Sequence, residues 1–447
     1  MEESISDICS HMKNKFLVFF CLSWVVTWGQ RPFPQASMEE FMISGVTVHA
    51  GDGTGINNAW IWVKKGIIAG VGSMDAKPAL DKNSVQMIDA PGAHVYPGFI
   101  ACNTTLGLTE IEAVRATNDF TEPGSVNPDV SSCPAFYTDS KVIPTVRQNG
   151  VLISQAVPRG GLFSGTSSMM RLDAWNYEDA AITCADGIHL NWPELPSTAT
   201  SMKNEKEDWK KREQDYVKMI SEISLWLARA KKYVPEKDKE PDLRLLALRK
   251  VYDGKTRLYL HANSERSIRD ALYTVYTSGV SYPVLVGASE FPKCMDVVKK
   301  YGTPLMLPRI HSLPPGDDYA VDYFYKLPLI AHENKLLFCI QNHGDMEAMH
   351  CRNLPFLAGS AVAFGLPYEA AVASISGNAA KITGIDEKYG SIQKGKSATF
   401  FVSQGDALEI RSNRLTLAFI DGRPLLLENI QDQLYKTYLE KYGLGKP

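Results

Sequence analysis

The stretch "GFIACNTTLGLTEI", from Gly98 to Ile111, runs an apolar strand straight into small polar side chains. A strand that ends in polar groups delivers side chains to a site at its C-terminal end. Asn103, Thr104 and Thr105 are poor metal ligands and poor acid–base groups, so the chemistry they offer is hydrogen bonding. In that role Asn103 and Thr105 would orient a substrate or a water. The cluster "SGTSS" (Ser164–Ser168) has the same two uses: Ser164 and Thr166 can bond a ligand, or their hydroxyls can cap turns. No Cys-x-x-Cys pair and no Cys/His zinc spacing occurs among the eight cysteines. Cys102, Cys184 and Cys339 sit in or beside apolar runs, where a free thiol acts as a small hydrophobe.

The elements that position these groups follow from patterning. The 447 residues are 45% hydrophobic, enough for a large core and more than one folding unit. A formal charge of −3 and the lack of a dense basic stripe argue against a nucleic-acid partner. Near the start, Met12, Lys13 and Lys15 precede the apolar run "FLVFFCLSWVV" (Phe16–Val26). This reads as a secretory signal peptide starting near Met12, too short for a permanent membrane span. The expectation is an exported protein, periplasmic in a Gram-negative cell.

From Phe41 to about Ala90, short alternating runs are separated by turn pairs such as Gly51-Asp52 and Lys65-Gly66. The same texture returns in "GSIQKGKSATFFVSQGD" and "LTLAFIDGRPLLL". Both ends of the chain are therefore expected to share one small β-sandwich. Between them lie strand candidates at Val95–Cys102, Val151–Val157, Thr166–Asp173, Ala180–Asp186 or a little later, Leu258–His261, Pro283–Val286, Pro304–Leu307 and Leu336–Gln341. Helical stretches separate most of the later ones. The longest, Asp208 to Tyr233, carries Trp209, Tyr216, Ile220, Ile223 and Leu227 on one face. Strands alternating with helices over this span fit a (β/α)8 barrel, with a doubly wound sheet as the alternative. The expected organisation is a leader (1–30), the first sandwich part (31–92), the barrel (93–385), the second sandwich part (386–430) and a C-terminal helix (431–447).

Three separated segments resemble the amidohydrolase superfamily, closest to its imidazolonepropionase-like branch. "VYPGFIACNTTLG" is similar to its first barrel strand, usually V-x-P-G-[LF]-I-D-x-H-x-H. "SISGNAAKITGIDEKYGSIQKGKSATFFV" resembles its C-terminal signature, and "LTLAFIDGRPL" its closing strand. The resemblance implies a barrel with a flanking β-sandwich. It also implies hydrolysis of a carbon–nitrogen bond in a small amide-like or dipeptide-like substrate, by water bound to one or two divalent metals. The first-strand histidine pair falls on Asn103 and Thr105, so that pair is missing. The fifth-strand histidine corresponds to His261, His189 stands at the end of the fourth strand, and His343 lies near the eighth-strand aspartate position. Asp345, two residues on, is the weak candidate for proton transfer, or else a helix N-cap.

Two readings follow. In the first, one Zn²⁺-like ion is held by His261 with His189 or His343 and a carboxylate such as Asp345, and the protein is a hydrolase with a reduced metal site. In the second, the chain holds no metal and is a pseudoenzyme that binds a small ligand or a partner. A homo-oligomer, or pairing with a catalytically complete relative, would fit that second reading.

Overall fold

The structure is a computed structural model that describes residues 34, 36–80, 85–195, 205–236 and 240–445. The expected signal peptide lies outside the described residues. Among those described, no helix is long and apolar enough to cross a membrane.

The chain opens with β1 (Glu40–His49), β2 (Gly55–Lys64), β3 (Ile67–Ser73), β4 (Gln86–Asp89) and β5 (His94–Pro97). Lys65 and Gly66 both take positive φ, the turn that matches the twist of a two-residue hairpin between β2 and β3. Along β1, Phe41 and Ile43 enter one core while Met42 packs with Trp60 on the other face. The barrel strands follow: β6 (Phe99–Thr104), β7 (Val151–Ala156), β8 (Phe163–Arg171), β9 (Ala181–Asn191), β10 (Arg257–Ala262), β11 (Pro283–Gly287), β12 (Leu305–Leu307) and β13 (Phe338–Ile340). The chain then returns as β14 (Phe400–Ser403), β15 (Leu415–Ile420) and β16 (Arg423–Pro424).

The two ends meet as expected, but in a single hydrogen-bonded sheet, ordered β16-β15-β14-β5-β1-β2-β3 with β4 on β1. The barrel sheet runs β6 to β13 in chain order. The expected single strand Val95–Cys102 is divided at Gly98: β5 pairs with β14 in the first sheet, and β6 pairs with β7 in the barrel. A Cβ on Gly98 would stand 3.0 Å from Leu152 and 3.1 Å from Thr399, so a side chain at this change of sheets would require both neighbours to give by a few tenths of an ångström.

The barrel also departs from a uniform (β/α)8 pattern. β8 is antiparallel to both β7 and β9, while the remaining neighbours are parallel. Only residues 157–162 connect β7 to β8, with Gly160 and Gly161 at positive φ. That is long enough for a hairpin and too short for a parallel crossover, which needs a dozen or more residues. Alternate side chains such as Ile100, Cys102, Val284 and Val286 fill the barrel interior. No backbone ladder joins β13 to β6; the side chain of Asn103 closes that seam, Nδ2 donating to Gln341 Oε1 at 3.0 Å.

The reading of Cys184 as a free thiol is corrected. It is disulfide-bonded to Cys133, tying the long loop after β6 to β9. Cys102 and Cys339 are free and buried, as expected. The long helix spans Glu205–Lys232 and buries Tyr216, Ile223 and Leu227 against the barrel. The C-terminal helix, Ile430–Tyr442, starts in a capping box between Asn429 and Asp432.

Candidate functional site

At the end of β6 the backbone turns left-handed at Asn103, with φ +50°. Asparagine tolerates this conformation better than other residues with a Cβ. The turn lets every polar atom of Asn103 find a partner inside the protein. Its N–H donates to Gln155 Oε1 (3.0 Å), and its Nδ2 donates to Gln341. Arg159 donates to both oxygens, Nη1 to Oδ1 (2.6 Å) and Nη2 to the carbonyl (2.9 Å). Asn103 is thus a barrel clasp. Beside it, the Thr104 hydroxyl lies 3.1 Å from Cys351 Sγ, and Thr105 is buried.

Arg159 comes from the short β7–β8 hairpin and pairs with Glu347, Nη2 to Oε1 at 2.8 Å and Nε to Oε1 at 3.2 Å. The second oxygen of Glu347 receives Nδ1 of His343 and the backbone N–H of Gly344. Burial pushes the Glu347 carboxyl up, but the Arg159 charge and the His343 contact outweigh it and hold it at about 2. The His343 side chain remains 46% exposed. It is a solvent-facing imidazole pinned through Nδ1 to a buried carboxylate.

His189 and His261 project from neighbouring strands, β9 and β10, into the same mouth. His189 Nδ1 lies 2.8 Å from His261 Nε2, so one ring donates and the other accepts. The His189 ring stacks on Tyr259 at 4.5 Å, and its Nε2 has no hydrogen-bond partner. Burial holds both imidazoles well below the usual histidine range. The charge of Arg159, and that of His343 when it is protonated, push each of them the same way, and His189 is lowered further by His261. Below this layer, Gln155 Nε2 (2.6 Å) and Tyr259 OH (2.7 Å) both donate to Asp186 Oδ2. Burial raises the Asp186 carboxyl against those two bonds, the nearby Ser167 hydroxyl and the charge of Arg257.

The remaining sequence candidates lie elsewhere. Thr166 donates to Pro128 O at 2.7 Å, and Ser164 accepts from Asn191 Nδ2 at 2.9 Å. The Thr166 hydroxyl is thus directed to the loop that covers β8. Asp345 is exposed, and its carbonyl accepts from Arg309. It does not cap the helix Glu347–His350, where Met346 occupies the cap position. Arg159, Glu347, Gln155 and Asp186 were not singled out from the sequence. The one local signal was the four-residue spacing of His343 and Glu347, which brings them together as an i,i+4 pair.

The metal expected from the resemblance can be tested on this donor set. Two nitrogens on one tetrahedral zinc, each at ~2.0–2.1 Å, stand roughly 3.3 Å apart with both lone pairs aimed at the ion. Here the two imidazoles face each other across a 2.8 Å hydrogen bond, and Nδ1 of the third is taken by Glu347. The guanidinium of Arg159 supplies positive charge to the mouth. Among the described residues, no group of three or more His, Cys, Asp or Glu side chains is arranged to hold a metal ion. The residues present do not fit the metal.

No family model matches the chain, and no curated relative matches it. Solved structures do. An amidohydrolase from Thermotoga maritima MSB8 aligns with a TM-score of 0.74 at 18% identity, covering 86% of this chain and 99% of that one. Molinate hydrolase aligns at 0.52 and 14% identity over 88% and 96%. A zinc-bound adenosine deaminase from Xanthomonas campestris aligns at 0.51 and 14% over 92% and 100%. The fold is therefore that of the amidohydrolases.

Proposed function

We propose that this chain is a hydrolase of carbon–nitrogen bonds in small amide-like molecules, working at the barrel mouth through His343 without a metal. The observation that carries this reading is the dyad itself: a solvent-facing imidazole whose Nδ1 is fixed on the buried, ionised Glu347. The amidohydrolase fold supports the choice of bond class.

In the proposed mechanism, Nε2 of His343 takes a proton from a water as its oxygen adds to the carbonyl carbon. The same proton passes to the leaving nitrogen as the C–N bond breaks. Glu347 stays ionised throughout, fixes the tautomer and stabilises the imidazolium, as the carboxylate does in a catalytic triad. Arg159 locks Glu347 in place and holds its charge.

The test is hydrolysis of cyclic amides and dipeptides by the purified protein, with its metal content measured and with Zn²⁺ added or withheld. Turnover that is independent of Zn²⁺ and falls about 10²–10⁴-fold in His343→Asn supports the reading. Turnover that requires Zn²⁺ and vanishes in His261→Ala would instead establish a reduced metal site, formed by breaking the His189–His261 bond. A second reading is a ligand-binding protein without catalysis, and it draws on the first-strand end, where Asn103 and Thr105 stand in place of a histidine pair. Saturable binding with no turnover under any condition would select it, and gel filtration would then show whether a second copy is the partner. Export is part of the same proposal, and the Cys133–Cys184 disulfide supports an oxidising compartment such as the periplasm.

A further inference from the structure

The foot of the barrel, opposite the mouth, holds a cavity of about 270 Å³. It exists because β8 runs backwards: the C-terminal end of that strand brings Arg171 down beside the first residues of β9 and β10. Arg171, Lys255, Arg257 and Lys388 line it, against Asp186 and Glu387. The lining is net positive, with one deeply buried acid at its inner end.

Two of these groups lack protein partners on the atoms that matter. Asp186 is 3% exposed; its Oδ2 is taken by Gln155 and Tyr259, while Oδ1 has no hydrogen-bond partner. A buried carboxylate oxygen left unpaired is costly, and a cationic donor arriving there would hold Asp186 ionised against the burial that raises it. Among the described residues, the guanidinium of Arg257 makes one hydrogen bond, Nε to Ile382 O at 2.5 Å. Its Nη atoms lie against Gly384, where a Cβ would stand 2.2 Å from Nη2. Arg171, by contrast, is fully engaged with Asp421, Tyr389 and two carbonyls, and serves as wall.

We propose that this cavity is a binding site for a small α-amino acid, its ammonium on Asp186 Oδ1 and its carboxylate on the Arg257 guanidinium. A simple anion would meet Asp186 unfavourably, and a simple amine would meet the surrounding cations. A zwitterion satisfies both ends. The volume lies just below the ~300–1,000 Å³ of drug-sized pockets, which suits a small amino acid. Lys255 and Lys388, both exposed, form a basic rim outside it.

Calorimetric titration of the full chain with glycine, L-alanine and L-serine tests this, with acetate and methylamine as half-ligand controls. The expected result is saturable binding of an amino acid at least tenfold tighter than either control, and a tenfold or greater loss in Arg257→Gln. Asp186→Asn is expected to lose as much; should it not fold, Arg257→Gln decides alone. Absence of saturable binding in the millimolar range, acetate binding as tightly as the amino acids, or unchanged affinity in Arg257→Gln would each overturn the proposal. The measurement reads binding rather than turnover, so it stands or falls apart from the hydrolase reading. His343→Asn must leave the affinity unchanged; loss there with retention in Arg257→Gln would place the amino acid at the mouth and sink the idea.

Discussion

Arg159 and Glu347 carry the charge balance of the mouth, and neither reveals itself in a linear sequence. They stand 188 residues apart, and the hairpin that supplies Arg159 becomes meaningful only once β7 and β8 are seen to be antiparallel. His261 was legible because it ends the apolar run of β10, and His189 because it stands near the end of the fourth strand; their mutual bond was not. Removing one member of a buried ion pair strands the other, so Arg159→Gln should destabilise the protein by about 3–5 kcal/mol, measured by urea unfolding. Adding Glu347→Gln to that variant should recover much of the loss, since no buried charge is then left alone. The pH profile has two windows. Both buried imidazoles titrate below their ordinary 6.5, so their contribution is complete above that pH and is lost as pH falls beneath it. Glu347 titrates at about 2 against 4.5 unfolded, which contributes about 3 kcal/mol above pH 4.5 and disappears as pH falls through 2. Urea midpoints across pH 7 to 2 should therefore fall in two steps, and His189→Asn should shrink the first alone. A midpoint flat between pH 7 and 5 would contradict neutral burial of the pair.

At the scale of elements, most strand candidates were legible because they are short apolar runs bounded by turn residues, and all eight barrel strands overlap a candidate, with β9 running on to Asn191. Direction was not legible. Periodicity reports which face is buried and says nothing of whether a strand runs up or down; the length of the connection decides that, and here it is six residues (157–162). The disulfide was hidden for a related reason, since Cys133 and Cys184 are 51 residues apart and meet only when β8 folds back between them. That cross-link closes a long loop in the unfolded chain. The chain-entropy model assigns such a loop about 4 kcal/mol. Paired Cys133→Ser and Cys184→Ser replacement should lower the unfolding free energy by up to that amount. It should also speed proteolysis of the loop after β6, which the bond anchors to β9. If reducing agent leaves the melting temperature of the wild-type chain unchanged, the bond does not contribute to folding.

For the molecule as a whole, the C-terminal signature read from the sequence proves to be a structural joint. β14 pairs with β5, and between them the chain has passed through the entire barrel. Phe401 sits at this joint, 5.4 Å from the Tyr96 ring of β5 and 5.0 Å, edge-on, from the Phe99 ring of β6. One side chain therefore packs on residues of both sheets. Gly150, just before β7, is held to the same contact, because a Cβ there would stand 2.4 Å from the Phe401 ring. A barrel cut free of the terminal strands would expose this aromatic surface, so neither part is expected to fold alone. Calorimetry of the intact chain should show a single transition, in which the two sheets unfold together. Phe401→Ala should cost about 3–5 kcal/mol, the usual range for emptying a buried aromatic site, and it should lower that one transition without dividing it. Two resolved transitions in the wild-type protein would show that the sheets are independent and that the joint is only a contact.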